Sequence, residues 1–174
     1  RYSWLIVVGM FMGVSWSANS WAQSSTSLGM QYLGLSLYVV AEAIVFVPML
    51  YIAANFGGPA VIPTAAIATV SLFAALTAVV FVTRVKFSFL RSAMIFGGIA
   101  IVGLVVASLL FQFELGRIFT IGVIAFACLS ILYQTSNVMH EYRIGQHVAA
   151  SLALFASIAL LFWYILRLLM MARE

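Results

Sequence analysis

The sequence predicts an all-α integral membrane protein, a compact bundle of six transmembrane helices in the chain given. Three features carry that reading. Of 174 residues, 66% are apolar and only 7% are charged, against roughly a quarter charged in an ordinary soluble domain. The apolar residues fall into long unbroken runs, each near the roughly 20 residues that a helix needs to cross the hydrocarbon core. None alternates with period 2, as a membrane barrel strand would.

Other classes are excluded by the same arithmetic. With 8 Lys+Arg and 4 Asp+Glu, a fold of this size cannot present the polar surface that keeps a soluble protein dispersed. A disordered chain would need far fewer apolar residues. Cys128 is the single cysteine, so no disulfide scaffold is available. The net charge of +4 comes from basic residues scattered near segment ends, so nucleic acid is not an expected partner.

The spans are residues 2–22, 30–54, 62–83, 89–112, 117–140 and 147–171. The first is too long and too rich in tryptophan for a cleaved signal peptide. Residues 23–29 are polar and uncharged, and Asn55-Phe-Gly-Gly-Pro59 is a turn, with Pro63 opening the next helix. Arg84-Val-Lys86 ends the third span, Glu114 to Arg117 the fourth and Glu141 to Gln146 the fifth. Residues 1–174 therefore read as a single transmembrane bundle without a soluble domain. The chain begins at Arg1 rather than Met, and a preceding N-terminal segment is expected. The cluster Arg84/Lys86/Arg91 is expected in the cytoplasm by the positive-inside rule. Arg167 is expected to snorkel to the head groups. Trp4, Trp16, Trp21 and Trp163, with Tyr142 and Tyr164, sit mostly near span ends, as interfacial aromatics do.

Glu42 is the first candidate for function. It lies at the middle of the second span, where a carboxylate costs several kcal/mol unless it faces protein or water. Gln31, Tyr38 and Glu42 share one helical face, and Pro48 frees the Ile44 carbonyl nearby. The alternative is a protonated Glu42 bonded to a neighbouring hydroxyl, with no transport role. The fifth span carries the longest polar stripe: Ser130, Gln134, Asn137 and Glu141 recur at offsets of 4, 3 and 4. Such a face lines a wet cavity or bonds across to another helix. On the sixth span Ala149, Ala153 and Ser157 form a small-residue ridge, and the short loop makes the fifth and sixth helices antiparallel neighbours. Gln134 and Ser157 fall at similar depth. Metal-ligand spacing, a Gly-rich phosphate loop and a nucleophile elbow are missing, and no aspartate occurs. No enzyme, cofactor or metal site is expected.

Several segments resemble one family. Tyr133-Gln-Thr-Ser-Asn-Val-Met-His140 resembles the Tyr-Asp-Thr-x-x-aliphatic-aliphatic-His segment of the Bax inhibitor-1 (transmembrane Bax-inhibitor-motif) family. Thr83-Arg-Val-Lys-Phe-Ser-Phe-Leu90 is similar to its Thr-Lys-Lys-Asp-Phe-Ser-Phe-Leu loop, and Ala107-Ser-Leu-Leu110 to the end of the span that follows. Leu37-Tyr-Val-Val-Ala-Glu42 resembles the Tyr-x-x-x-Glu element of its bacterial branch, and Ala150 to Leu169 its final span.

The resemblance implies seven helices with the last one central, the first lying in the segment before Arg1. It implies a cytoplasmic amino terminus, and with it a cytoplasmic Arg84-Val-Lys86. It also implies calcium leak, cytoprotection or, in bacteria, control of a membrane-bound AAA protease. In this family the leak is attributed to two aspartates on the last two helices that share a proton, a coupled pair that gates with pH. Here the matching positions are Gln134 and Ser157, both neutral. The family's pH latch is therefore expected to be absent, with Glu42 and Glu141 the remaining carboxylates of any ion pathway.

Two readings follow. In the first, the protein is a bacterial inner-membrane leak pathway for calcium or protons without the acid pair. In the second, it regulates a membrane protease or membrane-protein quality control without transporting, and its polar stripes are structural. Either way its surroundings are the lipid bilayer.

Overall fold

The structure is a computed structural model that describes residues 13–18, 20–21, 27–143 and 145–172. Its described residues are helical or lie in turns and short loops. Five helices are long and apolar enough to cross a membrane. They are α1 (Leu28–Phe56), α2 (Val61–Thr83), α3 (Leu90–Phe111), α4 (Arg117–His140) and α5 (His147–Met171). These correspond to the second to sixth expected spans, and the last two match the expected boundaries residue for residue. Of the first expected span, residues 13–18 and 20–21 are helical and the remainder lies outside the described residues.

Local chemistry sets the ends. Ser27 sits in extended backbone before α1, and its hydroxyl accepts from the Met30 N–H at 3.2 Å, satisfying one orphan donor of the first turn. Pro48 lies inside α1, which continues to Phe56. Gly57 then folds back, its N–H donating to the Ala53 carbonyl at 3.0 Å. A Cβ on Gly57 would stand 2.7 Å from that carbonyl oxygen, so only glycine fits the turn. At the end of α2, Arg84 adopts a left-handed conformation (φ 50°) and donates its N–H to the Val80 carbonyl at 2.8 Å.

Packing between the helices rests on small residues. The core comprises Ala53, Val61, Ala65, Ala127, Ile131, Leu161, Ile165 and Leu166. Where lipid is as apolar as leucine, helices gain by close approach, and alanines allow it. α5 packs against α1, α2 and α4, and it buries more of its length than any other described helix. Among the described helices α3 is peripheral and packs on α4 alone. There Gly97 leaves room for the Phe126 ring, which would lie 2.8 Å from an added Cβ. The outer faces carry exposed large apolar side chains such as Phe56, Val82 and Ile118, which acyl chains cover. This is an integral membrane protein.

Both ends of the bundle are tied by polar contacts. At one end the loop after α2 lies against the end of α4. Ser136, almost wholly buried, accepts from the Phe87 N–H at 3.0 Å and donates to the Val85 carbonyl at 3.3 Å. Lys86 pairs with Glu141 at 3.5 Å on the same side. At the other end Arg167 does not simply reach for head groups. Its guanidinium donates to the Leu115 carbonyl at 2.7 Å, while Arg117 donates to the Met171 carbonyl. Each arginine satisfies a backbone oxygen that the chain leaves open at a loop or helix end. Tyr164, near the end of the last span, is buried in the bundle, with Phe119 edge-on to its ring.

Candidate functional site

The polar side chains of α4 and α5 meet inside the bundle. Ser130 and Ser157 each lie ten residues from the loop that joins their helices. Ten residues is about 15 Å of helix, so the two face one another at equal depth. Their hydroxyl oxygens are 2.9 Å apart. Ser157 also donates to the Ala153 carbonyl one turn back, at 3.0 Å. A hydroxyl has a single proton, so in this arrangement Ser130 is the donor to Ser157.

Gln134, one turn beyond Ser130, lines a cavity of about 360 Å³ together with Ser130, Ser157, Ala153, Ser15 and Tyr38. Gln134 and Ser157 therefore open on one cavity, although the direct contact of Ser157 is with Ser130.

Tyr38 joins this cavity to a second one. Its side chain hydrogen-bonds to Glu42 one turn further along α1, and its ring meets Phe155 edge-on at 6.2 Å. Glu42 is the central residue of the 29-residue helix α1. Its Oε2 is buried and meets no hydrogen-bond partner among the described residues. Glu42 lines an apolar cavity of about 400 Å³ with Phe46, Phe155, Ile158 and Phe162. Tyr38 and Glu42 thus bridge a polar and an apolar chamber on one face of α1.

The remaining stripe residues lie elsewhere. Glu141 follows α4 at the exposed end of the bundle, held by Lys86. Asn137 is half-buried, and its carbonyl accepts from the N–H groups of Glu141 and Tyr142 at 2.8 and 3.0 Å. Neither borders the cavity that holds Gln134. Ser136, which anchors the loop after α2, stands off the stripe. Sequence reasoning missed it because, in the polar run Gln134-Thr-Ser-Asn137, the spacing singles out Gln134 and Asn137 and leaves Ser136 off their face. Among the described residues no cluster of His, Cys, Asp or Glu could hold a metal ion.

The family described as "Inhibitor of apoptosis-promoting Bax1" matches the chain over residues 1–174. The chain belongs to the Bax inhibitor-1 family. One relative is an uncharacterized protein of Pseudomonas aeruginosa, 29% identical over 159 residues, which cover 91% of this chain and 68% of the relative. No solved structure matches. In this family member the last described helix is the most enclosed, and neutral side chains stand at Gln134 and Ser157.

Proposed function

We propose that this Bax inhibitor-1 family member is a leak pathway for small cations, calcium or protons, that works without a titrating acid pair. The observation that supports it is that Tyr38 lines the cavity of Ser130, Gln134 and Ser157 and also hydrogen-bonds to Glu42 at mid-helix. Hydroxyl, amide and carboxylate oxygens can replace part of a cation's hydration shell. A carboxylate at mid-helix is costly unless it faces protein or water. On this reading the full-length protein is a seven-helix bundle in a bacterial inner membrane, with the Arg84–Phe89 loop in the cytoplasm. It performs no catalysis.

The test is flux through the full-length protein reconstituted in liposomes loaded with a calcium dye or a pH dye. Leak that falls several-fold in Glu42→Gln supports the pathway. Full-length protein that passes neither ion removes it.

A second reading is favoured by one feature of the same site. Ser130 and Ser157 satisfy each other, and among the described residues no charged side chain lines their cavity, which is what helix–helix glue requires. The protein would then regulate a membrane-bound AAA protease or membrane-protein quality control without transporting. Copurification of a protease that survives both Glu42→Gln and Gln134→Leu supports this reading.

A further inference from the structure

A second polar feature lies at the end of the bundle that carries Arg84, Lys86 and Arg91. Where α4 hands over to α5, a groove of about 510 Å³ opens beside the connecting loop. Its loop end is polar, formed by Tyr142, Arg143, His147 and Ser151, while Val138 and Leu154 continue it along the two helices as an apolar wall.

The charges there are unevenly matched. Glu141 is held by Lys86 at 3.5 Å. Arg143 is exposed and meets no carboxylate among the described residues. Its backbone N–H is occupied by the Gln146 side-chain oxygen at 3.0 Å, which fixes the loop but leaves the guanidinium available. His147 is placed by Tyr32, whose hydroxyl oxygen lies 3.2 Å from its Nε2. Burial, with Tyr133 adding to it, pushes the Tyr142 phenol above its ordinary value, so it remains an O–H donor at neutral pH.

The geometry points to a binding site for the phosphate of an anionic membrane lipid, its head group on Arg143 and Tyr142 and an acyl chain along Val138 and Leu154. Guanidinium and phosphate match in charge and in fork geometry. The apolar wall selects lipid over free phosphate, because a free ion gains nothing from it. The groove is separate from the Ser130–Ser157 cavity, and its occupancy does not depend on whether the protein conducts.

Native mass spectrometry of the full-length protein released from detergent tests this, with dioleoyl phosphatidylglycerol and dioleoyl phosphatidylcholine as probes. The expected result is preferential retention of phosphatidylglycerol. Arg143→Gln lowers that retention by about tenfold, the effect of one charge-assisted hydrogen bond. Arg143→Lys keeps part of it, and Arg91→Gln, outside the groove, leaves it unchanged. Each variant is compared at unchanged thermal stability in phosphatidylcholine, which Arg143 on an exposed loop permits. Equal retention by Arg143→Gln, an equal loss in Arg91→Gln, or displacement of the lipid by inorganic phosphate would each overturn the assignment.

Discussion

Ser130 on α4 and Ser157 on α5 touch through their hydroxyl oxygens at 2.9 Å, each ten residues from the loop between their helices. That contact sets the register of the hairpin at the centre of the bundle. It also puts Gln134 opposite Ala153 rather than opposite Ser157, with all four around one cavity.

The contact predicts a measurable coupling. Interhelical hydrogen bonds within membranes are worth about 0.6 kcal/mol on average and at most about 1.7. In a double-mutant cycle with Ser130→Ala and Ser157→Ala, unfolding in micelles should give a coupling in this range. A cycle with Gln134→Ala and Ser157→Ala should give a smaller value. The reverse order would place the direct partner of Ser157 at 134.

Acids placed at the two positions should report the same geometry. Two carboxyl groups at contact distance share one proton, and its loss sets two anions against each other. The Ser130→Asp/Ser157→Asp variant should therefore lose thermal stability, relative to the native protein, as pH rises through about 6 to 8. Gln134→Asp/Ser157→Asp should respond more weakly. A flat profile in both variants would show that the pair is too open to couple.

Glu42 depends on Tyr38. Removing the phenol leaves a buried carboxyl oxygen with one partner fewer, a loss of about 1–3 kcal/mol. Tyr38→Phe should therefore destabilise the protein. The double variant Tyr38→Phe/Glu42→Leu should recover much of that loss, because an apolar pair leaves nothing unsatisfied. Thermal unfolding in the same detergent decides it.

Ser136 holds the loop after α2 through two bonds, from Phe87 N–H and to the Val85 carbonyl. Ser136→Ala should speed amide exchange at Phe87 at least tenfold, while exchange within α4 stays slow. Unchanged protection at Phe87 would mean that the Lys86–Glu141 pair holds the loop by itself.

At the opposite end, Arg167→Ala should cost about 1.5–3 kcal/mol, the range for hydrogen bonds to charged groups. Arg167→Lys should recover part of it, since the Leu115 carbonyl accepts from either cation. Full stability in Arg167→Ala would return the side chain to a head-group role.

Much of this fold was legible in the chain. The boundaries of α4 and α5 follow from polar punctuation at Arg117, Glu141 and His147, because breaking a hydrophobic run at the bilayer surface is inexpensive and breaking it inside is not. The face shared by Tyr38 and Glu42 follows from helical period. The partner of Ser157 was less legible. Family positions drew attention to Gln134, yet equal depth from the loop already pairs Ser157 with Ser130. Ser136 and the arginine contacts at Leu115 and Met171 had no sequence signal, since they bind backbone carbonyls whose positions only folding creates.

The sequence by itself determined that the chain lies in a membrane, where its described helices begin and end to within two residues, and which side chains are too polar for lipid. Hydropathy and helical period act locally, within a single span. Which of the polar groups at similar depth turn toward one another was decided by tertiary structure. In lipid, helix faces are sorted by close packing of small residues and by pairing of hydrogen bonds, and both are properties of two helices rather than one. That is why Ser130 found Ser157 in the interior, while Glu141, on the same stripe, ended at the surface beside Lys86.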